Sequence, residues 1–422
     1  MTRGSDNPTL RAVAVCGLWL AAWGLVSCAR PQPTPRAAHW RPREFLIGLH
    51  DAPPTKPTLY AQAAKAGFNV IVDYVGPDSL DLAHRYGLKL MVAQIGLDVR
   101  TWKRDDRHEL AHKAIERFRR HPALWGYYVG GDVRERQLAD GADLASFVRQ
   151  RDPGRPFFVS VLPCDAWVGP ALATADYAGY LERVIQAMHP PLLNTAHEPF
   201  PAKREGRFYF ENLELLRRAA LAHDVVLCPT VRCGLRPGTR PPGQGDLRWQ
   251  AYTALAYGAR CIVWLGYWQP PHGEGEGIVA PDGTPSERFH WVAALNGELR
   301  RLGPQLLRLR SAGVYHTGAT VPVGTTRLPV HGLVGSVDGG TFVVGEFHGG
   351  PDERAVMVVN CDTRQAVQAT VTINRPCRSV AWLDPASGDW RQLPIQGDRL
   401  GTKLELPLAP GGGKLLRLAP AN

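Results

Sequence analysis

The sequence predicts an α/β protein: a (β/α)8 barrel followed by a small C-terminal antiparallel β-sandwich. Three observations carry this. Strand-like and helix-like patterns alternate eight times between residues 44 and 307, the pattern of parallel strands joined by helices. Gly or Pro punctuates the start of many strands, as at Gly67, Gly87, Pro122, Pro153 and Gly258. From about Ser311 the helices give way to short alternating strands with Gly-rich turns.

The first strand is expected over 44–50 and its helix over 58–66. Strand and helix then recur at 69–74 and 79–86, 88–94 and 107–120, and 124–132 and 139–151. They continue at 156–162 and 175–188, 192–197 and 210–223, 225–231 and 247–257, and 260–268 and 286–307. The barrel therefore spans 44–310 and the sandwich 311–422. Sandwich strands are expected at 341–347, 355–360, 369–373, 380–383 and 403–406, with turns at Asp384-Pro385 and Gly411-Gly412-Gly413.

The fourth strand, LWGYYVGGD, anchors the functional reading. Side chains alternate along a strand. Trp125, Tyr127 and Val129 should meet the covering helices, while Gly126, Tyr128, Gly130 and Asp132 should face a crowded axis. An acid at the carboxyl end of a barrel strand lies where such barrels keep their chemistry.

The formal net charge is +10, but basic residues are interspersed with acids, as over 107–120. That is a solvated face, without the concentrated basic patch and stacking aromatics of a nucleic-acid site. At the N-terminus, Arg3 and Arg11 precede an apolar run over 12–26, too short to span a membrane comfortably. It ends Leu25-Val26-Ser27-Cys28, which resembles a bacterial lipobox. The resemblance implies a leader over 1–28, a diacylated Cys28 and a Pro-rich tether over 29–43. An ordinary cleaved signal or an uncleaved anchor is the alternative. The protein is thus expected to be exported and lipid-anchored in the cell envelope, where disulfides form. Cys361 and Cys377 lie on neighbouring expected strands and could pair. Cys228 and Cys233 lack the companions of a zinc site.

His108-Glu109-Leu110-Ala111-His112 matches the zinc-protease pattern. It reads as chance: Leu110, Ala114 and Phe118 mark the buried side of that helix, and both histidines fall away from it.

The chain resembles a bacterial glycoside-hydrolase-type barrel of the β-galactosidase-like, clan A kind. The matching pieces are Trp125-Gly126-Tyr127-Tyr128, Asp152-Pro153-Gly154-Arg155-Pro156 and Glu211-Asn212-Leu213. Arg248-Trp249-Gln250-Ala251-Tyr252, Tyr267-Trp268-Gln269-Pro270, Leu295-Asn296-Gly297-Glu298-Leu299 and the trailing Pro410-Gly411-Gly412-Gly413-Lys414 complete them. Three departures fall on the family's catalytic positions. Gly131-Asp132-Val133 replaces Asp-Glu-Pro after the fourth strand, whose Glu is the general acid/base. Ala196-His197-Glu198-Pro199 replaces an Asp and a Tyr before the sixth-strand Pro. Pro229-Thr230-Val231-Arg232 brings no acid to the end of strand seven, where the family keeps its nucleophile.

Glycoside cleavage needs a proton donor and a second carboxylate. Asp51, Asp73, Asp132, Asp165 and Glu198 are the acids at strand mouths. Asp132 as general acid and Glu198 as base suit an inverting separation of roughly 6.5–9.5 Å. The competing roles are a strand-end or helix cap for Asp132 and an exposed loop acid for Glu198. His50, Asp73, Tyr74, Gln94, His197, Arg232, Tyr267 and Trp268 are the expected substrate contacts. Tyr267 and Trp268 could stack on a sugar face, with core packing equally open to Tyr267. Arg232 could grip an acidic sugar or simply pair with a nearby carboxylate. The expected activity is O-glycosyl hydrolysis of a glycan without metal or organic cofactor. A degenerate barrel that binds carbohydrate without cleaving it is the alternative.

Overall fold

The computed structural model describes residues 40–421 except 75, 165–175, 198, 201–205, 207, 270–274 and 399. The leader with Cys28, most of the tether, Asp165 and Glu198 lie outside the described residues, as does the side chain of Tyr74.

The first half of the chain is a curled parallel sheet. Its strands are β1 Leu46–His50, β2 Val70–Tyr74, β3 Lys89–Ala93, β4 Leu124–Tyr128, β5 Phe157–Val161, β6 Leu192–Thr195, β7 in two segments, Val226–Leu227 and Thr230–Arg232, and β8 Cys261–Leu265. Each strand pairs in parallel with the next. The first segment of β7 pairs with β6 and the second with β8. The break between them holds Pro229, which has no N–H to give the ladder. β8 pairs with β1, which closes the ring. The helices α1 Pro57–Lys65, α2 Pro77–Arg85, α3 Arg107–Phe118, α4 Leu138–Arg151, α5 Tyr177–Met188, α6 Tyr209–His223, α7 Gln244–Ala256 and α8 Glu287–Leu306 alternate with the strands.

The axis is filled by Leu46, Val70, Val72, Met91, Phe158, Leu192, Val226, Cys228, Cys261 and Val263, one interior apolar cluster. A disulfide joins Cys228 of β7 to Cys261 of β8 inside it. Cys361 and Cys377, the pair suggested by strand adjacency, are free.

Tyr127 and Val129 pack into the helix-side core, as the period-two pattern requires. Trp125 does not follow. Leu90 pairs with Leu124 but Met91 pairs with Gly126, so Trp125 is the extra residue of a bulge. It turns inward and meets Trp40 edge-on at 5.0 Å, beside the axial cluster. Gly126 is crowded by β5 rather than by the axis, since a Cβ there would lie 2.2 Å from the Pro156 carbonyl oxygen. On α3 the buried apolar residues are Ala111, Ala114, Ile115 and Phe118, and Leu110 is exposed. His108 stacks on Trp102 at 4.1 Å between ring centroids.

Beyond the barrel come β9 Arg310–His316, β10 Val334–Asp338, β11 Phe342–His348, β12 Arg354–Asn360, β13 Val367–Ile373, β14 Cys377–Leu383, β15 Trp390–Leu393, β16 Ile395–Gly397, β17 Thr402–Leu408 and β18 Gly413–Pro420. They form an antiparallel six-stranded sheet, in order β9-β11-β12-β18-β14-β15, and a four-stranded one, β10-β13-β17-β16. Phe342, Val344, Val356, Val358 and Leu416 of the larger sheet meet Val371, Leu404 and Leu406 of the smaller. The alternate residues Val343, Phe347, Met357, Val359 and Leu415 join the barrel's core instead. Helix α7 lies in that seam and is buried from Leu247 to Ala256 save for Arg248. A Cβ on Gly345 of β11 would strike the Ala256 carbonyl oxygen at 2.3 Å.

Candidate functional site at the barrel mouth

The carboxyl ends of β1, β2, β4 and β7 bring the chemistry together. β1 ends at His50, and Asp51 follows with a left-handed backbone, φ 64°. Asp132, after β4, is left-handed too, φ 53°. The other two such non-glycine residues among those described, His189 and Asp224, cap the C-termini of α5 and α6, where this conformation is routine. Asp51 and Asp132 end no helix. Strain of this kind, about 1–3 kcal/mol per residue, gathers at working sites.

His50 Nδ1 lies 3.1 Å from Asp51 Oδ1 and accepts the Asp51 N–H at 3.0 Å. The carboxylate is fixed from its far side, where Oδ2 accepts the Gly266 N–H at 2.9 Å. The Asp73 carboxylate accepts the Ala52 N–H at 2.6 Å and draws the end of β2 to the same loop. Burial alone would lower the His50 pKa, but the hydrogen bond and charge of Asp51, with the charge of Asp73, raise it against Arg232. Burial alone would raise Asp51, but the His50 hydrogen bond and charge, the Gly266 N–H and Arg232 lower it. The side chains keep 31% and 40% of their surface exposed, so this couple is open to the mouth. An imidazole held by an anchored carboxylate can take or give a proton near neutral pH.

Across the mouth, the ring of Tyr128 stands edge-on to His50 at 6.1 Å. Its hydroxyl sits under Gly131, where a Cβ would be 2.6 Å away. The loop from Gly130 to Val133 is clamped by Ser160, whose N–H donates to the Gly130 carbonyl and whose carbonyl accepts from Val133. Tyr180 donates to the Val133 carbonyl at 2.5 Å. Asp132 therefore sits on an exposed rim loop rather than inside the strand. Partial burial raises its pKa, and Arg100, Arg134 and Arg236, from the loops after β3, β4 and β7, pull it down.

Arg232 ends β7 and bears on both His50 and Asp51. Its backbone is locked by the buried Gln250, which accepts from its N–H and donates to its carbonyl, each at 3.0 Å. The neighbouring Cys233 thiol is pushed up to about 12 by burial and is inert.

Other expected contacts are placed elsewhere. Tyr267 is fully buried against Phe68 at 5.3 Å and Phe289 at 6.4 Å, on the helix side of β8. That is the core-packing role. Trp268 is 7% exposed and offers little ring face to a sugar, while its backbone N–H donates to the Asp51 carbonyl. His197 follows β6 and meets Tyr209 of α6 at 5.8 Å, toward the helix layer. Gln94 follows β3 and caps a short 3-10 turn. Tyr74 ends β2.

The residue that sequence reasoning ranked too low is Asp51. It stood among the mouth acids, but Asp132 and Glu198 were preferred as the pair set two strands apart across the mouth. The usable signal was the consecutive His50-Asp51 pair at the end of a barrel strand.

No family model matches the chain, and no curated protein does either. Solved structures do. A glycoside hydrolase matches with a TM-score of 0.59 at 11% identity, over 89% of this chain and 93% of that one. A family 5 glycoside hydrolase from Bacteroides vulgatus matches with a TM-score of 0.58 at 11% identity, over 89% of each chain. A β-galactosidase from the psychrophilic Marinomonas ef1 matches with a TM-score of 0.51 at 13% identity, over 64% of this chain. The match takes in 62% of that enzyme's length. Matches over 89% of the chain take in the sandwich as well as the barrel. The fold is a (β/α) barrel with a trailing sandwich, similar to the folds of these glycoside-hydrolase structures.

Proposed function

We propose that the protein is an exported, lipid-anchored glycoside hydrolase that cleaves an O-glycosyl bond of a glycan at the barrel mouth. One observation carries the reading: two strained aspartates that end no helix lie at this mouth, one of them coupled to a half-exposed histidine. Asp132 is the general acid, since a carboxyl raised above its ordinary value holds a proton longer. Glu198 is the base or substrate-fixing group, and the His50–Asp51 couple orients the sugar or its attacking water. Arg232 favours a glycan that carries a carboxylate.

The test is turnover of a panel of aryl-glycosides and oligosaccharides by the full chain. Asp132→Asn should lower kcat by roughly 10²–10⁴-fold. Turnover that survives this substitution would remove Asp132 from the chemistry. For Arg232→Ala, affinity that falls equally for charged and neutral sugars would end the anionic-glycan assignment.

The second reading is a barrel that holds carbohydrate without cleaving it. It is favoured by Arg232 standing at the end of β7, where a retaining enzyme of this kind needs a carboxylate. Glycan binding without turnover, unchanged by Asp132→Asn, would establish it.

For export, the Cys228–Cys261 disulfide supports an oxidising compartment. Incorporation of labelled fatty acid into the wild type and its loss in Cys28→Ser tests the anchor.

A further inference from the structure

The opposite end of the barrel holds a second feature. Where α6 ends and β9 begins, an open cleft is lined by Arg41, Arg217, Arg260, Arg310 and Asp224, with Tyr257 in its wall. Guanidinium groups stay charged at any ordinary pH. Asp224 answers two of them: Arg41 is in contact with its carboxylate and Arg310 is 3.5 Å away. Arg41 also donates to the Asp224 carbonyl at 2.9 Å and Arg310 to the Leu221 carbonyl at 3.0 Å. These bonds explain why arginines gather at the end of α6, whose dipole is negative there. Arg217 is held by Glu214 through two bonds of 2.7 Å, and Glu214 is shared with Arg218. Arg260 is different. It is half-buried, and it donates to a neutral carbonyl, that of Leu309, at 2.9 Å. Four arginines thus line one cleft, and the carboxylates they meet are those of Asp224 and Glu214, the latter also held by Arg218 outside it. Each guanidinium has five donors, and these bonds leave several for a ligand.

We propose that this cleft is a binding site for a phosphate-type anion, with Arg260 as its central contact and Arg310 and Arg41 at its entrance. The oxygens of a phosphate suit several guanidinium donors at once, and its charge answers the cationic excess. Burial and the charges of Arg41 and Arg310 press on Arg260 in the same sense, the charge of Asp224 offsets them only in part, and a bound anion would relieve the rest. Two sources share this chemistry: free phosphate or a phosphomonoester, and the phosphodiester headgroup of a lipid.

The experiment is calorimetric titration of the full chain, kept in a nonionic detergent at low salt, with inorganic phosphate and with glycerophosphoglycerol. A saturable single site is expected, weakened about tenfold or more by Arg260→Gln and by Arg310→Gln. Arg391→Gln, on the sandwich, should change nothing. Tighter phosphate assigns the site to a free phosphate or monoester, and a tighter diester assigns it to a headgroup. Arg310 is 56% exposed at its side chain, so its variant keeps the test decisive where Arg260→Gln disturbs folding. Absence of saturable binding of either probe, or binding that both substitutions leave intact, overturns the proposal.

Discussion

His50 Nδ1 faces two atoms of Asp51 at once, the carboxylate Oδ1 at 3.1 Å and the backbone N–H at 3.0 Å. The protonated ring can donate to the first and the neutral ring can accept from the second. The same contact therefore serves both charge states, which is what a proton-handling group needs.

This relationship fixes a pH window. His50 is raised in the fold, so its stabilisation is complete below the free value of about 6.5 and is lost as pH climbs through the folded value. Asp51 is lowered, so its share is complete above a free value of about 3.9 and is lost as pH falls through the folded one. The couple stabilises the fold most between about pH 4 and 6.5. Asp51→Asn should lower the His50 pKa, read from its imidazole C–H resonance in an NMR titration. An unshifted resonance would mean that Asp51 does not hold that proton.

Gly131→Ala should open the mouth. The new methyl would lie 2.6 Å from the Tyr128 hydroxyl, so the ring or the Asp132 loop must move. The cost is about 1–3 kcal/mol by chemical denaturation. A variant as stable as the wild type would show that Tyr128 swings away freely.

Tyr267→Phe separates core from site. The Tyr267 hydroxyl is buried without a hydrogen-bond partner among the described residues. Its removal should leave stability unchanged or raise it by up to about 1 kcal/mol. Glycan affinity should not change, and a loss of affinity would return Tyr267 to the list of sugar contacts.

The Cys228–Cys261 bond closes a loop with a sequence separation of 33. Replacing both cysteines by alanine should cost about 3–4 kcal/mol in an unfolding titration. Equal stability of the oxidised protein and the double variant would refute the linkage.

The barrel was legible because its signals are periodic. Tyr127 and Val129 obey the two-residue alternation and the structure buries them toward the helices. Trp125 was not legible, since one extra residue in β4 reverses a face and no composition marks it. The break in β7 was marked by Pro229, yet a run rich in valine reads as one strand. On α3 the expected Ala114 and Phe118 are buried, while Ala111 and Ile115 complete the stripe and Leu110 is left exposed. The site was half legible. Residue types at strand ends named His50, Asp73, Asp132 and Arg232 as mouth residues. Which of them touch depends on loop geometry, and the His50–Asp51 couple needs a left-handed aspartate that no residue pattern announces.

Helix α7 has one last implication. It is covered by the barrel on one side and by β11, β12 and β18 on the other, so neither module owns it. Cutting the chain after residue 309 would strip that helix of half its cover and leave a greasy scar on the barrel. The two modules should therefore melt together in a single calorimetric peak, and a truncated barrel should aggregate rather than persist as a smaller working enzyme.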